Sequence, residues 1–149
     1  MNNLCDPAAE RAVLSGIYQY GNDVFLDICD MVKSTTFLID INKILFACLE
    51  HICKSSDNVK IDYPSIVSAS KELNLNHIVE RPEETKHLNS IIKLSVEQNN
   101  VRKFAAKLRK LEVMRLIHKQ GGVLQEKMLE CDGTESISHV ISIAEGTIF

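Results

Sequence analysis

The chain has 149 residues, 45% hydrophobic and 25% charged, with a formal net charge of −3, five Cys and no Trp. This is an ordinary balance for one globular domain with its own core. It argues against a bilayer-spanning helix, because no apolar run nears the ~20 residues required. It also argues against a secretory leader on the polar, acidic N-terminus and against a large aromatic platform for single-stranded nucleic acid.

Apolar residues recur at helical spacing along nearly the whole chain, which predicts an all-α fold. A first helix spans Pro7 to Tyr20, with Asp6 as its cap, Pro7 in the first turn and Gly21 closing it. Its stripe is Ala9, Val13, Gly16, Ile17 and Tyr20. A second helix starts after Asn22 or Asp23 and carries Val24, Phe25, Ile28, Cys29 and Val32. Ser34-Thr35-Thr36 breaks the pattern, and Phe37 plugs the core from that loop. Asp40 caps the clearest amphipathic helix, with Ile41, Ile44, Leu45, Cys48, Leu49 and Ile52 on one face.

Ser55 to Lys60 reads as a polar loop, and a fourth helix starts at Pro64 with Ile66, Val67, Ser70 and Leu73 inward. Asn74 to Glu84 reads as an irregular surface connection. Leu88, Ile91 and Ile92 mark a short fifth helix ending near Ser95. From Asn99 a helix of roughly thirty residues follows, well beyond the usual ~10–14. Gly121-Gly122 interrupts it, marking a bend or a close contact, at about 1 kcal/mol of helicity per Gly. After the turn signal Asp132-Gly133-Thr134, a last helix carries Ile137, Val140, Ile141, Ala144 and Ile148. The last two helices read as an antiparallel hairpin whose apolar stripe exceeds what two helices bury between them.

Catalytic patterns are missing. There is no G-x-x-x-x-G-K-[ST], H-E-x-x-H or nucleophile elbow. Cys48, His51 and Cys53 are the tightest metal-like group, but positions 48 and 53 on one helix point about 140° apart. Asp23, Asp27 and Asp30 read as an exposed acidic face, and His118 as a surface residue. Five unpatterned cysteines indicate reduced thiols rather than a disulfide framework.

Charge is uneven. Val101 to Lys119 holds seven basic residues and one acid, Glu112, against ten basic and nineteen acidic residues elsewhere. Such asymmetry suits a complementary partner or a second copy of the chain. Arg102, Lys103, Lys107, Lys110 and Lys119 are the candidates for contacts to nucleic acid or an acidic partner.

Several motifs in order resemble the N-terminal domain of DnaB-type replicative helicases. Pro7, Ala9-Glu10, Val13-Leu14 and Gly16 match that family's opening pattern, with Ser15 displacing a usual Gly. Phe37 with Ile44 and Phe46 resembles the segment around its third helix. Val59-Lys60-Ile61-Asp62 is similar to its step into the fourth helix, with Lys60 where Pro is usual. Asn99-Asn100-Val101 through Phe104-Ala105, then Arg115-Leu116-Ile117, resemble the entry to the hairpin and its long helix. Ala144-Glu145 with Ile148-Phe149 resembles the hairpin's ending. The family's Gly-Gly-x-x-Tyr-Leu run is replaced by Glu83-Glu84-Thr85-Lys86-His87-Leu88. Divergence of this kind suits a phage or mobile-element helicase.

The resemblance implies a compact helical head, residues 1–97, followed by a protruding antiparallel helical hairpin, residues 98–149. It implies a non-catalytic collar that pairs through hairpins into a dimer, builds a trimer of dimers on a hexameric ring, and docks primase or a helicase loader. DNA would be engaged by the full-length protein, and ATP and Mg2+ would belong to a RecA-like ATPase domain absent from this chain. The expected setting is the cytoplasm of a bacterial or phage-infected cell, away from membranes. The hairpin interface is expected at Val113, Leu116, Ile117, Leu124, Met128, Ile137, Val140, Ile141 and Ile148. Two alternatives stay open. One is the helicase-binding C-terminal domain of a primase, disfavoured because the helicase-like opening follows Met1 at once. The other is a helical single-stranded-DNA-binding module using segment 101–119.

Overall fold

The structure, a computed structural model, describes residues 4–55 and 60–148. Val59 of the Val59–Asp62 step, the central part of the Ser55–Lys60 loop and the terminal Phe149 lie outside the described residues. Among those described there is no strand, and no helix is long and apolar enough to cross a membrane.

Helix α1 (Pro7–Tyr20) sits at the centre of the head. The Asp6 carboxylate accepts the Ala9 N–H at 3.1 Å, Pro7 occupies the first turn, and Gly21, at φ 61°, ends the helix. Its apolar stripe predicts a one-sided helix. Instead it is enclosed by α2 (Asn22–Ile28), α3 (Asp40–Ser55), α6 (Pro82–Ile92) and α7 (Gln98–Leu129), so Glu10, Leu14 and Ser15, off the stripe, are buried too. Gly16 is required by this crowding. A Cβ there would lie 2.4 Å from Val101 Cγ2 and 2.9 Å from Cγ1. Val101 is buried and stiff at χ1, so it cannot yield easily. Gly16→Ala is expected to cost about 1–3 kcal/mol by overpacking. Thermal unfolding checks this, and adding Val101→Ala should recover part of the loss.

Helix α2 is shorter than its sequence pattern. It stops at Ile28, and Val32 reaches the core from the turn that follows, closed by Val32 N–H donating to the Ile28 carbonyl at 3.0 Å. Ser34–Thr36 is a single 3-10 turn rather than plain loop, and Phe37 is fully buried beyond it. The Phe37 and Phe46 rings pack with centroids 5.1 Å apart. Asp40 does not cap α3; it is the first helical residue. The capping position falls to Ile39, whose carbonyl accepts from the Lys43 N–H at 3.1 Å. The acceptor for this helix end comes from Glu10 on α1, which takes the Leu38 N–H at 2.8 Å, the Ile39 N–H at 3.3 Å and the Asn42 side-chain amide at 2.9 Å.

Helix α4 (Tyr63–Glu72) is capped by Asp62, which accepts the Ser65 N–H at 2.9 Å. The stretch read as irregular is ordered. Asn74 adopts φ 59°, and the Leu75 N–H returns to the Ser70 carbonyl at 2.7 Å, a Schellman end. A one-turn α5 (Asn76–Val79) follows and buries Val79. Helix α6 begins at Pro82, six residues before the apolar residues that mark it in sequence, and ends at Ile92 rather than Ser95. Pro82 suits a first turn, and Glu83 and Glu84 complement the helix dipole there.

Helix α7 runs unbroken for 32 residues and α8 (Ile137–Ile148) folds back against its distal part. Gly121 and Gly122 neither break nor crowd it, since a Cβ at either would meet nothing within 4 Å. The turn between α7 and α8 is held by local bonds. Asp132 accepts the Thr134 N–H at 2.9 Å, Glu135 accepts the Asp132 and Gly133 N–H groups, and Ser136 accepts the His139 N–H at 3.1 Å at the start of α8.

Candidate interaction surface on the helical hairpin

The proximal part of α7 is head and hairpin at once. Val101, Ala105 and Leu108 are in the buried core. Basic residues around them stitch the helix down. Arg102 donates to the Asp27 carbonyl and pairs with its carboxylate at 3.2 Å. Lys107 pairs with Asp6, and Arg109 pairs within α7 with Glu112 at 2.7 Å, which in turn accepts from the Thr36 hydroxyl at 3.0 Å. The Arg115 guanidinium donates to the carbonyls of Leu4 and Thr36, both at 2.8 Å. Of the five residues expected to meet nucleic acid or an acidic partner, Arg102 and Lys107 are therefore already engaged. Lys103, Lys110 and Lys119 are exposed.

These ties depend on ionised carboxylates. A hydrogen bond from Lys107, then one from the Ala9 backbone, holds the Asp6 carboxyl below its ordinary range. Burial pushes Glu112 up, but hydrogen bonds from Arg109 and Thr36 more than offset it, and its carboxyl also lies low. Groups with depressed pKa in the folded state stabilise above their unfolded values, ~3.9–4.3, and lose that contribution as pH falls through the folded values. Melting temperature should therefore drop below about pH 4, and Asp6→Asn should flatten part of that slope, measured by thermal melts from about pH 6 to pH 3.

The distal hairpin is two-faced. Leu124 and Met128 on α7, with Val140 and Ile148 on α8, are half-buried, as is Val113 nearer the head. Lys127 donates to the Thr147 hydroxyl at 2.8 Å across the two helices. Leu116, Ile117 and Ile141 stay more than half exposed, and Ile137 is 80% exposed. Exposed apolar residues outside the expected set accompany them: Met114, Val123 and Leu129 on the hairpin, and Leu26 on α2. Helical spacing cannot signal these, because it finds apolar faces without telling a covered one from a bare one.

Other candidate chemistry disperses. Cys48 and Cys53 are buried in the core, where burial pushes each thiol up to about 11, and a protonated thiol is a poor ligand or nucleophile. His51 turns to Glu72 on α4. Asp27 belongs to Arg102, so Asp23, Asp27 and Asp30 form no shared site. Among the described residues no three His, Cys, Asp or Glu side chains converge on a point that could hold a metal.

A family model, "DnaB-like helicase N terminal domain", matches residues 2–110, the head and the proximal part of α7. The chain belongs to that family. It is thus a DnaB-type N-terminal domain of a replicative helicase, the non-catalytic part of such an enzyme. Membership implies an oligomeric helicase assembly. The fold of this helicase domain is similar to the crystal structure of the N-terminal domain of DnaB helicase from Mycobacterium tuberculosis. The TM-score is 0.77 at 14% identity, over 97% of this chain and 96% of that one. The likeness therefore extends past residue 110 to the hairpin, where the family model does not reach. A search of curated protein sequences finds no match.

Proposed function

We propose that this domain assembles the helicase ring by pairing through its hairpin, and that the resulting collar docks primase or a helicase loader. The carrying observation is the run of bare apolar residues Leu116, Ile117, Ile137 and Ile141 on a hairpin that projects from an otherwise well-buried head. Large exposed apolar side chains grouped on one element mark an interaction surface in a soluble protein. The family's collar role, with dimers built into a trimer of dimers, gives that surface its partner. The sequence carries no glycine-rich loop followed by Lys-Ser or Lys-Thr, the P-loop cradle for nucleotide phosphates. ATP and Mg2+ chemistry, and DNA translocation, belong in this reading to a RecA-like domain of the parent helicase, working in the cytoplasm of a bacterial or phage-infected cell. The engagement of Arg102 and Lys107 by head residues weighs against the single-stranded-DNA module.

Amide hydrogen exchange at two protein concentrations tests the pairing. Protection over residues 113–124 and 137–148 should rise with concentration, while the head stays unchanged. Concentration-independent exchange across the hairpin, or new protection confined to α4 and α6, would overturn the assignment.

A further inference from the structure

Arg11, on α1, is a half-buried cation that the head leaves without a counter-ion. Its Nη2 donates to the Ser90 hydroxyl at 3.0 Å, and Ser90 in turn donates to the His87 carbonyl at 2.6 Å, so α6 holds the guanidinium in place. The Nε–H is buried with no acceptor, and no Asp or Glu among the described residues pairs with Arg11. An enclosed charged donor is costly to leave without an acceptor or an opposite charge. Glu10, one residue earlier, has three donors to itself.

Arg11 lines a groove of about 360 Å³ between α1, the connection 93–97 and the start of α7. Its walls are apolar: Ala8 and Ala12 from α1, Leu94 and Val96 from the connection, and Phe104 from α7. Lys93 and Lys103 each adjoin a lining residue in sequence, are exposed, and form no ion pair among the described residues. Glu97 is the one acid among the lining residues, and it too is exposed. The head as a whole has the opposite balance, with nine basic and fourteen acidic residues in 1–97. A cationic groove with apolar walls is therefore a local arrangement on an acidic head, complementary to a carboxylate carried between apolar side chains.

We propose that this groove docks a short segment of a partner protein in which an Asp or Glu stands between apolar residues. The carboxylate meets Arg11, and its apolar neighbours lie against Leu94, Val96 and Phe104. This rests on the docking half of the functional reading and is independent of hairpin pairing. The volume is at the small end of ligand pockets, ~300–1,000 Å³, so the groove takes a few side chains rather than the face of a whole domain. Arg suits the role because its planar fork binds a carboxylate through two N–H groups at once. A nucleic-acid phosphate would satisfy the charge but bring nothing for the apolar walls.

The test titrates the isotope-labelled 149-residue chain by NMR with three peptides: acetyl-Leu-Glu-Phe-amide, its Gln counterpart, and acetyl-Leu-Leu-Phe with a free C-terminal carboxylate. The Glu peptide should shift the amides of residues 94–97 and 104 and bind about tenfold tighter than the Gln peptide. Saturation should also raise the titration of the His87 ring, because after burial the nearby charge of Arg11 is what holds it below the ordinary histidine range. Arg11→Gln, with circular dichroism confirming the fold, should abolish the preference for the Glu peptide. Equal binding of the two capped peptides to the unmodified chain, shifts confined to other surfaces, or no binding up to about 5 mM would overturn the proposal. Tighter binding of the free C-terminal carboxylate would overturn its assignment to an internal acidic residue. None of these outcomes alters amide protection of the hairpin, so the groove can fail while hairpin pairing stands, and the reverse.

Discussion

Replacing Glu10 with Ala is expected to destabilise the domain by about 3–5 kcal/mol, roughly a 10 °C fall in Tm for a chain of this size. The side chain is fully buried, and its two oxygens take three donors: the Leu38 and Ile39 backbone N–H groups and the Asn42 amide. Removing it strands all three donors, and a buried donor without a partner costs about 1–3 kcal/mol. Asn42 in turn accepts from the His87 ring at 2.7 Å, so the loss spreads from α1 through α3 to α6. Glu10→Gln should recover only part, because its NH2 group must face one of the same donors. Calorimetry gives the magnitude. Amide exchange adds a local signature, faster exchange at Leu38 and Ile39 than in α4. A variant with wild-type stability would show that another group caps α3.

The second large effect is Phe37→Ala, also expected to cost about 3–5 kcal/mol. Phe37 is fully buried although it sits between a 3-10 turn and α3, outside any long helix. Its ring meets Phe46, which also faces Phe25 at 6.3 Å. Truncation leaves a cavity that α2 and α3 cannot close, because the Glu10 bonds at residues 38 and 39 hold the chain on its C-terminal side. Phe37→Leu should lose markedly less. Urea unfolding measures both, and equal losses would mean the site collapses around either side chain.

How far the sequence carried this reading depended on whether each signal was local. Asp6, Pro7 and Gly21 state the ends of α1 by their own conformational preferences, and the structure has the same ends. Phe37 is legible as a core plug because a lone aromatic directly after the polar run Ser34-Thr35-Thr36 has few other roles. Glu10 is not legible. It lies off the apolar stripe, and its partners come 28 to 32 residues later. The connection after α4 hid its order in Asn74, whose positive φ is a backbone choice, and in Pro82, which reads equally as loop or helix start. The Gly pair suggested an interruption because propensity is a local penalty. In a 32-residue helix anchored at one end by the head and flanked at the other by α8, that penalty is overridden.

The basic segment shows the same limit for function. Its seven charges look alike in sequence, yet Arg102, Lys107 and Arg115 have head partners from Asp27, Asp6 and the carbonyls of Leu4 and Thr36. Only the fold separates residues that hold α7 in place from Lys103, Lys110 and Lys119, which face outward. The same separation sorts the apolar set into half-buried members and exposed ones.

Those exposed apolar residues carry the proposed function, and sedimentation equilibrium of the chain beside an Ile117→Asp variant tests it most directly. The unmodified chain should form a concentration-dependent dimer. The variant should be a monomer with unchanged helicity, because Ile117 is half exposed and is not among the residues packed on the core. A variant that dimerises as tightly as the original chain would contradict it.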